Sequence, residues 1–185
     1  MYTLGMAKKY KQLLKEKGNR TAIMEELHDE VLFKVGPGLY SEKKQISTLE
    51  YLTSRYPNAI FCSYSAFYYY GMTDVIPQYY FLSIERKSTR IHEDNVSLSF
   101  YSEKNFKTGL TKITYNKIEI PIYDKERLLI DLINYRNNYE PDYYKTIVEY
   151  YRKHIDEVDT VKLEQYAENF RNSDYLLKVI RAEVY

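Results

Sequence analysis

The chain has no tryptophan, one cysteine, three histidines, six glycines and five prolines in 185 residues. A lone Cys62 excludes an internal disulfide and a cysteine-built zinc site. His28, His92 and His154 are scattered, with no carboxylate or cysteine at ligand spacing, so no metal is expected. No cofactor is expected either. The single G-x-G, Gly36-Pro37-Gly38, is not followed by the strand–helix unit and third glycine of a dinucleotide fingerprint. No apolar run reaches the length of a membrane span. The opening stretch Met1-Tyr2-Thr3-Leu4-Gly5-Met6 has neither the charged start nor the apolar stretch of a secretion signal, so the cytoplasm is the expected compartment.

Catalytic apparatus is also missing. Ser63 and Ser65 lack the flanking glycines of a nucleophile elbow, and Ser63 reads most simply as a helix cap. Cys62 precedes that helix and reads as a small buried side chain rather than an activated thiol. Glu126 and Asp131 are five apart and face different sides of a helix, which gives acid–base catalysis little support. Arg127 and Asp131, four apart, can pair with each other and anchor their helix. The chain therefore reads as a non-enzyme.

What the sequence has in excess is tyrosine, 23 residues of it, a side chain that buries a ring while keeping its hydroxyl satisfied. Apolar residues make up 44% and mean hydropathy is −0.58, the balance of a soluble domain or of two small ones. The formal net charge of +1 hides a gradient. Residues 1–20 carry six basic groups against one acid; residues 86–117 carry seven against three; residues 119–185 carry ten against fourteen. Basic clusters attract phosphate backbones in a salt-dependent way.

Along the chain, residues 7–17 read as a helix with Tyr10, Leu13 and Leu14 on one stripe, ended by Gly18-Asn19. A short helix follows, opened by Asn19 or Thr21 and running to His28. Val31–Val35 reads as a strand, Gly36-Pro37-Gly38 as a turn, and Leu39-Tyr40 as a second strand. This is the order of a reduced winged helix. Either Ala22–His28 is itself the recognition helix, with a preceding helix merged or lost, or the module is degenerate. Residues 45–56 and 63–70 read as helices. Between 79 and 121, alternating segments (Tyr79–Ile84, Val96–Tyr101, Lys112–Tyr115, Lys117–Pro121) predict a small, mainly antiparallel sheet, with Asn116-Lys117 as a tight turn. Four helices follow: one opens at Asp124, one at Asp142, a third is marked by Leu163, Tyr166, Ala167 and Phe170, and a fourth starts at Ser173. The expected class is α+β, with a winged-helix-like module over 1–44 and a body over 45–185.

Three segments in fixed order carry a family resemblance. Lys34-Val35-Gly36-Pro37-Gly38-Leu39-Tyr40 resembles an Arg-x-Gly-x-Tyr wing; Ser63–Gly71 resembles a Ser-Ala-Leu-x-x-x-Gly helix; and Asp124–Leu132 resembles a Glu-Arg-Thr-Leu-hydrophobic-Asp helix, with Leu128 where Thr is common. Together they resemble the AbiEi family. That resemblance implies an antitoxin and transcriptional autorepressor of a type IV toxin–antitoxin operon, acting in abortive phage infection. Its partners would be promoter DNA with inverted repeats and, functionally, a nucleotidyltransferase-like toxin, with no stable complex required. DNA contact is expected from Lys8, Lys9, Lys11, Lys15, Lys17, Arg20, Thr21, Lys34, Lys43 and Lys44, and from a second basic surface of Arg86, Lys87, Arg90, Lys104 and Lys107. The competing reading is a protein-interaction module, without DNA binding, that uses its tyrosine-rich surface.

Overall fold

A computed structural model describes residues 6–185. The chain divides into two compact units: one runs to Pro57 and takes in Asn116–Ile118, and the other holds the remainder.

The first unit begins with a strand where the sequence suggested a helix. β1 (Lys8–Lys9) pairs with β3 (Leu39–Ser41), Lys8 opposite Tyr40 and Lys9 opposite Leu39. Its approach is fixed from outside, because the buried Glu50 carboxylate accepts the Ala7 N–H at 3.2 Å. Helix α1 (Tyr10–Lys17) starts only after Gln12 has accepted the Lys9 N–H, and it stops at Gly18, whose φ of 79° suits a left-handed cap. α2 (Arg20–His28) follows at once, and Asn19 Oδ1 accepts the Ala22 N–H at 2.8 Å. Leu13, Ile23 and Leu32 form the buried centre beneath the two helices, with Tyr10, Leu27 and Tyr40 around it.

β2 (Phe33–Gly36) and β3 are joined by Pro37-Gly38. Pro37 and Gly38 (φ 66°) suit the two central positions of a type II turn. The Gly38 carbonyl accepts the Tyr10 N–H at 3.1 Å, tying the hairpin tip to the start of α1. The sheet order is β1-β3-β2, antiparallel throughout. Strand, helix, helix, strand, hairpin, strand is the connectivity of a winged helix, and among the described residues no helix precedes β1. α2 is therefore the last helix before the β2–β3 hairpin. The unit also includes α3 (Thr48–Arg55), past residue 44. α3 buries Leu49, Glu50 and Leu52, and its Tyr51 ring covers Gly36 so closely that a Cβ there would sit 2.6 Å from it.

In the second unit β4 (Ile60–Phe61) leads into α4 (Ser63–Tyr69). β5 (Tyr80–Glu85), β6 (Val96–Tyr101), α5 (Glu103–Lys107), β7 (Leu110–Tyr115) and β8 (Ile118–Tyr123) follow. The sheet order is β6-β5-β4-β8-β7. β4 runs antiparallel to β5 but parallel to β8, and β5 runs parallel to β6, so this sheet is mixed rather than mainly antiparallel. The difference comes from the 86–95 connection, which returns the chain to the same end of the sheet before β6 begins. Asn116 and Lys117 both have positive φ, 48° and 67°, as a two-residue hairpin turn between β7 and β8 requires.

The helical remainder is α6 (Lys125–Asn134), α7 (Pro141–Lys153), α8 (Thr160–Ala167) and α9 (Ser173–Glu183). α6 is buried from Glu126 to Ile133, the sign of a central helix. Asp124 caps α6 as the sequence suggests, Asp159 caps α8, and α7 opens at Pro141 with Asp142 inside its first turn. Ser63 is not a cap. Cys62 holds the N-cap position, and Ser63 sits at φ 50° with its hydroxyl turned to the Tyr139 hydroxyl, 3.0 Å away.

Candidate nucleic-acid interface

Arg20 and Thr21 occupy the first turn of α2, and both are exposed. The first backbone N–H groups of a helix, less the one taken by Asn19, point outward there, which suits a phosphate oxygen. Glu25, one turn on, is exposed, so the basic end of α2 is its N-terminal end. The apolar spacing of this helix predicts Met24 to face inward with Ile23 and Leu27, but it is exposed by 52%, because Ile23 takes the buried position beside it.

Three of the cations expected in the first unit already have partners. Lys8 pairs with Glu16 and Lys17 with Glu26, both at the surface. Lys43 Nζ lies 2.9 Å from Glu50 Oε2, so it neutralises the buried carboxylate that also holds Ala7. The two exposed pairs are worth at most about 1 kcal/mol each and can exchange their carboxylate for a phosphate. Lys43 is structural, because releasing it would strand a buried charge. Lys9, Lys11, Lys15, Arg20, Lys34 and Lys44 form no ion pair among the described residues.

Lys34 and Lys44 line a shallow concavity of about 460 Å³ on the hairpin side, together with Gln45, Ile46, Thr48 and Tyr51. The last four were not expected from sequence. Ser47-x-x-Glu50 is the signal that locates them, since Ser47 Oγ accepts the Glu50 N–H at 3.1 Å and begins α3 there.

The second expected basic surface lies in the other unit, on the 86–95 connection and α5. It is interleaved with acids and rings. Lys107 pairs with Glu103 one turn away, and the Arg90 guanidinium lies 5.2 Å from the Phe100 ring centre. Arg86, Lys87 and Lys104 are exposed.

The Asp124–Leu132 segment builds a buried polar knot. Arg127 Nε donates to Asp131 Oδ2 at 3.1 Å, and its Nη1 donates to the carbonyls of Asn105 and Thr108. The guanidinium lies 4.5 Å from the Tyr123 ring centre and 4.8 Å from that of Tyr101. Glu126 accepts the Asp159 N–H at 2.9 Å, so it serves the fold as well. Burial pushes the Cys62 thiol up to about 12, which leaves it a protonated core side chain.

Among the described residues no group of three or more His, Cys, Asp or Glu side chains is arranged to hold a metal ion, and no helix is long and apolar enough to cross a membrane. No protein-family model matches the chain, and no curated protein matches it. A solved structure, the RV2827C protein from Mycobacterium tuberculosis, is similar to it with a TM-score of 0.60 at 17% identity, over 94% of this chain and 72% of the other. At that identity the likeness is one of fold: an α+β chain that shares nearly the whole course described above.

Proposed function

We propose that this chain is an antitoxin and DNA-binding autorepressor of the AbiEi type. One observation carries the reading: the first unit has winged-helix connectivity, with Arg20 exposed at the first turn of α2 and Lys34 exposed on the hairpin. α2 enters the major groove of promoter DNA by its N-terminal turn, the hairpin follows the adjacent backbone, and Lys9, Lys11, Lys15 and Lys44 neutralise phosphates. The second unit acts against a nucleotidyltransferase-like toxin encoded nearby, and no stable complex is needed. The ordered likeness of the 34–40, 63–71 and 124–132 segments to AbiEi supports this half.

The test is a gel shift on the DNA upstream of the gene at several salt concentrations, against a scrambled duplex. Specific binding should weaken with salt by about 0.9 log unit per log unit for each phosphate neutralised. The triple variant Lys11→Ala, Lys15→Ala, Arg20→Ala should lower that slope by about 0.9 for each phosphate it no longer neutralises. Absence of binding at low salt, or an unchanged slope in the variant, overturns the DNA-binding half and favours a protein-interaction module. Failure to relieve growth arrest when co-expressed with the neighbouring toxin overturns the antitoxin half.

A further inference from the structure

The second unit contains a cavity of about 370 Å³, open to solvent and separate from every residue assigned to DNA above. It exists because two small side chains stand where large ones would close it. β6 runs parallel to β5 with Ser97 opposite Phe81 and Ser99 opposite Ser83, so Ser97, Ser99 and Tyr101 share one face of the strand. The two serines leave the space, and Tyr101 closes the inner end.

The inner end carries an unmet acceptor. Asp131 is buried; its Oδ2 accepts from Arg127 Nε at 3.1 Å and from the Tyr101 hydroxyl at 3.3 Å, while its Oδ1 has no hydrogen-bond partner. Buried polar atoms are nearly always partnered, so an orphan carboxylate oxygen on a residue that lines a cavity marks the place of a donor from outside. That donor has no need of positive charge, because Arg127 already neutralises the carboxylate. Burial raises the Asp131 pKa, with Arg127 working against the rise.

The mouth is aromatic and held in place. The Tyr64 ring lies 4.9 Å from that of Phe81 and 5.1 Å from that of Tyr139. Beside them Ser63 holds its left-handed backbone, an unfavourable conformation for a residue with a Cβ, and its hydroxyl meets that of Tyr139. Strain of this kind persists where surrounding structure imposes it, and such positions cluster at ligand sites.

We infer that this cavity binds a small, neutral, planar heterocycle that carries an amino donor, of the nucleoside class. The ring packs against Tyr64 and Phe81, its amino group donates to Asp131 Oδ1, and sugar hydroxyls reach the serine side. A volume of this size is within the range that encloses small ligands. The inference is independent of DNA binding, since no residue is shared between the two surfaces.

The probes are adenosine and cytidine, each with its N,N-dimethylated counterpart, which keeps the ring and lacks the donor. Saturation-transfer NMR and calorimetry on the full chain should show saturable binding of at least one parent nucleoside, weakened at least about tenfold by dimethylation. Ser97→Phe fills the cavity from a half-buried strand position and should abolish the signal without moving the thermal melting curve. Three results overturn the inference: no binding of either nucleoside at millimolar concentration, equal binding of the dimethylated compounds, or binding that survives in a folded Ser97→Phe. Should that variant fail to fold, the dimethylated pair still decides.

Discussion

Arg127 shows how one side chain can unite several segments. It is fully buried, yet it reaches a carboxylate on its own helix, two carbonyls at the end of α5 and three aromatic rings, those of Tyr101, Tyr123 and Phe170. Burial opposes its charge, but Asp131 and the neighbouring phenols hold it protonated. The site tolerates nothing bulkier nearby: a Cβ on Gly109 would fall 2.4 Å from that of Arg127, and Gly109 has φ 73°. Arg127→Ala leaves Asp131 buried without its counter-ion and should cost about 3–5 kcal/mol, read from urea-induced unfolding. Arg127→Lys should not restore it, because one ammonium cannot span a carboxylate and two carbonyls in a plane.

At the scale of elements, caps decide where helices lie. Asn19→Ala removes the acceptor for the Ala22 N–H and should cost about 1 kcal/mol, seen as a lower urea midpoint with an unchanged slope. The same chemistry explains what was legible in the sequence. Asp124 and Asn19 are residues whose preference for a cap is local, and the helices they open are where the sequence puts them. Val96–Tyr101 is likewise the strand expected from its alternation. β1 was not legible, because two lysines take strand geometry only through pairing with Leu39 and Tyr40, about thirty residues away. β4 is two residues long and carries no periodicity. Ser63 misled because a serine before an apolar run looks like a cap, while its hydroxyl is spent on Tyr139. In the candidate site the basic residues were legible as a cluster. Which of them are already paired was not, because Glu50 reaches Lys43 only once α3 has docked.

Over the whole molecule, the abundance of tyrosine becomes an alkaline limit. Burial pushes the phenols of Tyr123, Tyr139, Tyr143 and Tyr151 above their ordinary range. Each folded-state value lies above the unfolded value of about 10, so the stability these groups contribute is complete below that pH and is lost as pH climbs beyond it. Tyrosinate absorbance should therefore rise in two phases, exposed rings near pH 10 and buried rings only together with loss of circular dichroism. A single phase near pH 10 with an intact fold would contradict this. The larger sheet has a different vulnerability. Its two halves meet only across β4, where Phe61 faces Leu82 on one side and Ile122 on the other. The β7–β8 hairpin closes locally and quickly, but joining it to β4 brings together positions some sixty residues apart, an entropic cost met before any reward is gained. Capture of the shortest strand is thus the step expected to limit how fast this unit folds.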